Sequence, residues 1–228
     1  MARASSAVEP ITDSALALAP RALDAGAATV LGESEADTLV YVSAGAGTIT
    51  VGDETGALAA RSAALVLAGE EASVVADEPL ALVVMTVGPD VDRHAPMGRR
   101  ALVTSLDTTD AQHATGARSF QVLFDADNGS TRATLFAGFI PPGKAPWHYH
   151  LYDEIVLVPE GAGRLHIGET IEDLVTGSAF RLRPREVHIV ENPSTDRVLT
   201  IIGVFTPAGS PSAAYLTSDV AAEYRFVD

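Results

Sequence analysis

Apolar residues along this chain fall into short β-branched runs broken by Gly, Asp and Pro. They seldom follow the three-and-four spacing of an amphipathic helix. Val40–Val51, Ala64–Val75 and Leu80–Val87 form such runs in the first part of the sequence. Thr131–Ile140, Glu154–Pro159, Arg164–Ile167, Ala179–Arg183 and Val198–Phe205 continue the habit. The runs are short, rich in Val, Ile, Leu and Thr, and bounded by turn residues, so they predict strands and an all-β fold. Only Ser14–Ala28 and Ala114–Ala117 have the Ala-rich character of helical turns.

The runs recur in order. Residues 38–52 align with 154–168 at a constant offset of 116, with Gly45-Ala46-Gly47 on Gly161-Ala162-Gly163 and Gly52 on Gly168. Residues 62–77 align with 177–192 at an offset of 115, with Leu67 on Leu182, Glu71 on Glu186 and Val75 on Val190. The change implies one residue lost or gained in the hairpin between. A repeat this long means two copies of one fold. Pro96, Gly98, Gly116 and scattered charge mark residues 91–118 as the connection, between a unit in 1–90 and another in 119–228.

Composition narrows the partners. The 15 Lys and Arg against 30 Asp and Glu give a net charge of −15, which repels nucleic acid and anionic lipid. No window is long and apolar enough to span a bilayer, and no secretory signal is expected, because Asp13, Pro20 and Arg21 break up the Ala/Leu segment near the N-terminus. The chain has no cysteine, so disulfides and thiolate ligands are out and a cytoplasmic location is expected. There is no G-x-S-x-G elbow, phosphate loop or dinucleotide fingerprint; Gly45-Ala-Gly47 sits in a hairpin pattern with no helix after it.

Candidate chemistry gathers in Gly143-Lys-Ala-Pro-Trp-His148-Tyr-His150-Leu-Tyr-Asp-Glu154. Residues i and i+2 of a strand share a face, so His148 and His150 can aim at one point. Glu154 would lie about 13 Å beyond His150 on a straight strand, and joins them only if Leu151-Tyr152-Asp153 turns the chain back. His188 is a fourth candidate. Tyr152 sits in the turn and could reach a substrate. Arg181 and Arg183 share one strand face: pointing inward they would grip a carboxylate, pointing outward they would be solvated. Tyr149 and Trp147 are expected to pack away from the site, and His166 to be an ordinary surface or core histidine.

These two segments resemble the paired motifs of the cupin superfamily. The first motif, G-x5-HxH-x3,4-E-x6-G, is met by Gly143, His148, His150, Glu154 and Gly161, with one residue fewer before the first His. The second, G-x5-P-x-G-x2-H-x3-N, is met by Gly177, His188 and Asn192, but Arg183 and Arg185 replace the usual Pro and Gly. The resemblance implies two tandem cupin barrels of the double-stranded β-helix, or jelly-roll, kind. It further implies a divalent metal (Fe, Mn, Ni, Co or Zn) on His148, His150, Glu154 and His188, with Tyr152, Arg181 and Arg183 as candidates for the surrounding shell. Across the repeat these ligands fall on Gly32, Ser34, Thr38 and Ser73, so the first barrel is expected to be a degenerate scaffold and the ion to number one per chain. The tail beyond Pro207 is expected to pack over a barrel. The implied activity is metal-dependent conversion of a small organic molecule, first an oxygenase-type oxidation. An isomerase, cyclase or lyase reaction, or simple ligand binding, stands as the alternative. The expected partner is that small molecule, without nucleic acid or membrane; a homo-oligomer is compatible with all of this, and no catalytic acid or base is singled out.

Overall fold

The computed structural model describes residues 8–114 and 117–223. The first half supplies β1 (Leu16–Leu23), β2 (Ala28–Leu31), β3 (Asp37–Ala44) and β4 (Ala46–Val51). After them come β5 (Glu54–Ala59), β6 (Ser62–Val66), β7 (Ala72–Ala76) and β8 (Leu80–Val87). The short strands β9 (Val103–Ser105) and β10 (Gln112–His113) follow in the connecting segment. The second half has β11 (Ser119–Phe124), β12 (Thr134–Ile140), β13 (Gly143–Lys144) and β14 (His148–Tyr149). It continues through β15 (Asp153–Glu160), β16 (Ala162–Ile167), β17 (Thr170–Val175) and β18 (Ala179–Leu182). It ends with β19 (His188–Asn192), β20 (Leu199–Thr206), β21 (Tyr215–Leu216) and the short helix α1 (Ser218–Glu223). No helix among the described residues is long and apolar enough to cross a membrane.

Four antiparallel sheets result. In the first half β1-β8-β3-β6-β9 faces β2-β7-β4-β5; in the second, β10-β11-β12-β20-β15-β18 faces β17-β16-β19-β14-β21. The strand order β1-β8-β3-β6 thus returns as β12-β20-β15-β18, and β7-β4-β5 returns as β19-β16-β17. Val40, Val42, Leu82, Ile49 and Val74 fill the space within the first pair of sheets. Val156, Val158, Leu165, Val190 and Ile201 do so in the second. A third core, including Leu39, Met85, Leu135, Ile155 and Val204, joins the two larger sheets back to back. Strands β3 and β15 are therefore covered on both faces, which is why they read as unbroken apolar runs and not as alternating ones.

Two sequence expectations change. Ser14–Ala28 is not helical: Leu16–Leu23 pairs along its whole length with β8, and Leu16 and Leu18 are buried while most of the following residues are exposed. Ladder pairing overrides the Ala propensity, and Pro20 is tolerated because β1 is the sheet edge. Of Ala114–Ala117, residues 115 and 116 lie outside the described residues.

The repeat also keeps its offset of 116 across the later hairpins, without the lost residue. Thr38 pairs with Val66 as Glu154 pairs with Leu182, and Val51 pairs with Ala72 as Ile167 pairs with His188. Left-handed backbone agrees: Arg61 (φ 72) matches Gly177 (φ 90), and Gly69 (φ 83) matches Arg185 (φ 68). The position equivalent to His188 is thus Ala72, not Ser73. A one-residue slip in a strand exchanges inward for outward, and Ala72 is buried while Ser73 is exposed. Likewise Leu31 faces Ala72 where His148 faces His188, so Leu31 and not Gly32 occupies the first histidine's place.

Candidate metal centre

Strand β14 is only two residues long, threaded between β19 and β21. Its His148 stands directly opposite His188 on the antiparallel ladder, which brings the two side chains together. His150, two residues on, shares their face. The ring centroids lie 4.5 Å apart for His148–His188, 5.2 Å for His148–His150 and 5.0 Å for His150–His188. One ligand nitrogen from each falls within 4.8 Å of the others, and all three residues are buried. Among the described residues no other group of three such side chains meets that criterion.

The backbone sets the tautomers. His148 Nδ1 lies 2.9 Å from Pro146 O, His188 Nδ1 2.9 Å from Glu186 O, and His150 Nδ1 3.3 Å from Ala213 O. A carbonyl only accepts, so each Nδ1 carries the proton and each Nε2 keeps a lone pair for the centre. The turn at Arg185, left-handed where the second motif prefers glycine, is held by its N–H donating to His150 O at 2.7 Å. The Asn192 side chain ties the end of β19 to Ile140 O and Arg197 O.

Bends at Leu151 and Tyr152 return the chain, so Glu154 at the start of β15 faces the imidazoles. Its Oε2 lies 3.8 Å from His150 Nε2. Gly203 makes room: a Cβ there would meet Phe136 Cε1 at 2.3 Å and Glu154 Oε1 at 3.0 Å. The three histidines therefore stand together, and Glu154 lies beside His150 in the same pocket but outside the group whose ligand atoms are all within 4.8 Å of one another. Tyr152 joins them, stacked on His150 at 4.6 Å and on Phe205 at 3.9 Å, and its buried hydroxyl has no hydrogen-bond partner among the described residues.

Arg181 and Arg183 are not brought to the site. On β18 it is Leu182 that lines the pocket, and alternation turns the two arginines the other way. Arg181 Nη1 pairs with Asp13 at 2.8 Å and its Nε donates to Asp153 at 2.8 Å, while Arg183 is largely exposed beside the same two carboxylates. His166 lies outside the pocket, 2.5 Å from Glu191. Tyr149 points away and stacks on Tyr215 at 5.5 Å. One feature carries no sign in the sequence: Arg118, just ahead of β11, lines the pocket. The tail beyond Pro207, expected to pack over a barrel, packs at this site through Pro211, Ser212 and Ala214, with β21 paired to β14 and Ala213 O on His150.

Electrostatics decide what the site can hold. Burial pushes His148 down to about 3 and His150 to about 4, in both cases helped by the neighbouring His188, and burial lowers His188 as well. Burial raises Glu154 to about 8 against the pull of Arg118, and it raises Tyr152, with Glu154 adding to the effect. Without a cation, three neutral imidazoles would aim lone pairs at a carboxyl kept protonated by its surroundings. Nitrogen and oxygen donors without sulfur suit a divalent first-row ion, and the ion's charge would offset the buried carboxylate. The residues fit such an ion.

A pH signature follows. Glu154, raised when folded, contributes stability to the metal-free protein that is full below its unfolded value of 4.5 and is lost as pH rises through about 8. The histidines, lowered when folded, contribute stability that is full above 6.5 and is lost as pH falls toward about 3 to 4. Unfolding of the metal-free form between pH 6.5 and 8 should thus show a Glu154 contribution falling by up to about 1.4 kcal/mol per pH unit. Glu154→Gln should abolish that decline. Metal binding near pH 7 should release close to one proton, measured as a buffer-dependent calorimetric heat.

Residues 137–205 match the family model described as a cupin domain. No curated protein matches the chain in sequence. The fold resembles AerE from Microcystis aeruginosa, with TM-score 0.72 and 13% identity over 87% of this chain and 91% of that one. It resembles a point mutant of the oxalate decarboxylase OxdC of Bacillus subtilis, with TM-score 0.73 and 13% identity over 93% and 78%. Another structure of that decarboxylase, concerned with its Mn(II) centres, gives TM-score 0.72 and 14% identity over 89% and 71%. A cupin 2 conserved barrel domain protein from Leptotrichia buccalis gives TM-score 0.62 and 13% identity over 90% and 92%. The matched cupin domain runs from β12 into β20 and contains His148, His150, Glu154 and His188, and the solved structures share the fold.

Proposed function

We propose that the chain is a duplicated cupin whose second barrel is a metal-dependent enzyme for a small organic molecule, with an oxygenase-type reaction as the leading chemistry. The observation that carries this reading is the convergence of three buried Nε2 lone pairs and one buried carboxyl on a single pocket. Iron or manganese held there would supply Lewis acidity and one-electron chemistry toward dioxygen. The chain's own residues prepare the place. Phe120, Phe136, Ile140 and Ile201 form apolar walls, and Pro211, Ser212 and Ala214 of the tail add to the lining. Tyr152 stays a phenol under its raised proton affinity, so it serves as a hydrogen-bond donor and not as a base.

The similarity in fold to an oxalate decarboxylase favours one second reading, in which the ion acts without net oxidation. Purified protein loaded anaerobically with Fe(II) or Mn(II) separates the two. An oxygenase consumes dioxygen in proportion to product and changes its optical or EPR spectrum when oxygen is admitted; a non-oxidative enzyme turns over without oxygen uptake. A compound that binds at the site and is always recovered unchanged would remove the enzyme reading.

The first barrel should contribute no ion. Leu31 and Ala72 replace two histidines and fill its core, and Thr38 replaces the carboxylate. Elemental analysis after dialysis should find no more than one metal per chain, and His148→Ala should remove it. A second equivalent that survives His148→Ala would refute the assignment.

A further inference from the structure

Residues 207–217, after β20, form a strap that adds Pro211, Ser212 and Ala214 to the lining of the metal pocket. Every residue of the strap is exposed or half-buried, and none belongs to an apolar core. A short series of directed contacts holds it instead. The hydroxyl of buried Thr134 donates to Gly209 O at 2.8 Å and accepts from the Gly209 N–H at 3.0 Å. Further on, β21 lies against β14, with Leu216 opposite His148 and Tyr215 opposite Tyr149 and stacked on it. Between these two fixings, Ala213 O accepts from His150 Nδ1 at 3.3 Å.

We propose that Thr134 is a positioning residue for the metal centre: by clamping Gly209 it sets the strap so that Ala213 O orients His150 and β21 braces β14. The inference rests on the reading of this pocket as a metal centre and deepens it. Strand β14 is two residues long, and β19 meets it at one position, His148 opposite His188. The strap therefore supplies the other side of its support. The contact from His150 to Ala213 O is at the long end of hydrogen bonding, so a small displacement of the strap breaks it. The imidazole is then free to turn or to exchange tautomers, and its Nε2 is no longer fixed toward the centre. With no buried side chain of its own, the strap opens locally at small cost, and the clamp at Gly209 sets that cost. Comparison of the two halves supports the assignment. Phe205 lies on the ladder between Glu154 and Thr134, as Thr86 lies between Thr38 and Ala17. The place of Thr134 in the half without the histidines is thus held by Ala17, which has no hydroxyl to clamp a strap. Clamp and ligands occur in the same barrel.

Titration of the metal-stripped full chain with Mn(II), with the free ion followed by EPR, tests this without any substrate. Thr134→Val keeps the shape of the side chain and removes the hydroxyl. It should weaken Mn(II) binding by about 10-fold or more and speed loss of the ion to EDTA. The Ala214 amide, which donates to Ser212 O at 2.8 Å within the strap, should exchange its hydrogen faster in the same variant. Thr134→Ser keeps the hydroxyl and should recover most of the lost affinity. A role in folding alone would lower the unfolding midpoint and leave the affinity of the folded protein as it was. Unchanged Mn(II) affinity in folded Thr134→Val, or a loss that Thr134→Ser does not recover, would overturn the proposal. Should Thr134→Val fail to fold, Tyr215→Ala decides, because loosening the strap at its other end must also weaken the ion; wild-type affinity there overturns the proposal equally. A wild-type chain that takes up neither Mn(II) nor Fe(II) would remove the metal-centre reading itself. A wild type that binds the ion beside a Thr134→Val variant that binds it equally would remove this inference alone.

Discussion

His188→Ala should lose metal affinity by more than about 100-fold and with it all metal-dependent turnover, while the protein stays folded and β-rich. Outer groups that merely orient a ligand are worth about 10 to 100-fold, and a ligand itself should exceed them. His188 is also the strand partner of His148 and lies 5.0 Å, centroid to centroid, from His150, so its loss opens one side of the trio. The fold should survive because the apolar cores on either side of the two larger sheets contain none of the metal-site residues. Glu154→Gln should behave differently. Its amide oxygen can still coordinate, but the site gains a unit of positive charge, so turnover should fall more than occupancy. Metal content by elemental analysis, circular dichroism and turnover on the same samples check all three outcomes. A His188→Ala protein that keeps full metal occupancy would place the ion elsewhere.

The ligand geometry was legible because it depends on local rules. An HxH on a strand shares a face by period two, and a short polar turn can bring a carboxylate back. The all-β class was legible for the same reason, from short runs between turn residues. What stayed hidden depends on how strands are phased against each other. Arg181 and Arg183 were correctly seen to share a face, but which face could not be read until Leu182 was placed opposite Glu154. The phase of the repeat in its later strands is hidden for a similar reason, since Val66 and Leu67 are equally apolar matches for Leu182. Only the ladder shows that Val66 holds the equivalent place. Arg118 carries no local sign of its place at the pocket: it precedes an apolar run in a segment that reads as connection. Its position comes from β11 joining β12 at the pocket wall, a contact between distant parts of the chain.

The junction between the halves contains the residue with the largest expected effect on stability. Arg132, just ahead of β12, is buried and reaches into the first half. Its Nη1 donates to Glu35 O at 2.5 Å, and its Nε lies 3.7 Å from the buried carboxylate of Asp37. Asp37 has one other fixed donor, the Ala68 N–H at 2.9 Å. Arg132→Met fills similar volume but leaves Asp37 as an uncompensated charge in the interior, and breaking a buried pair in this way costs about 3 to 5 kcal/mol. For a chain of this size that corresponds to a midpoint lower by about 10 °C. Removing the charge as well should recover much of the loss, because two neutral residues leave nothing to solvate. The double variant Arg132→Met with Asp37→Asn should therefore be more stable than Arg132→Met alone. Thermal and urea unfolding of the two variants and the wild type give the comparison. A loss below about 1 kcal/mol for Arg132→Met would mean that Asp37 is solvated once the guanidinium is gone. The two halves would then be held together by their shared apolar core and not by this pair.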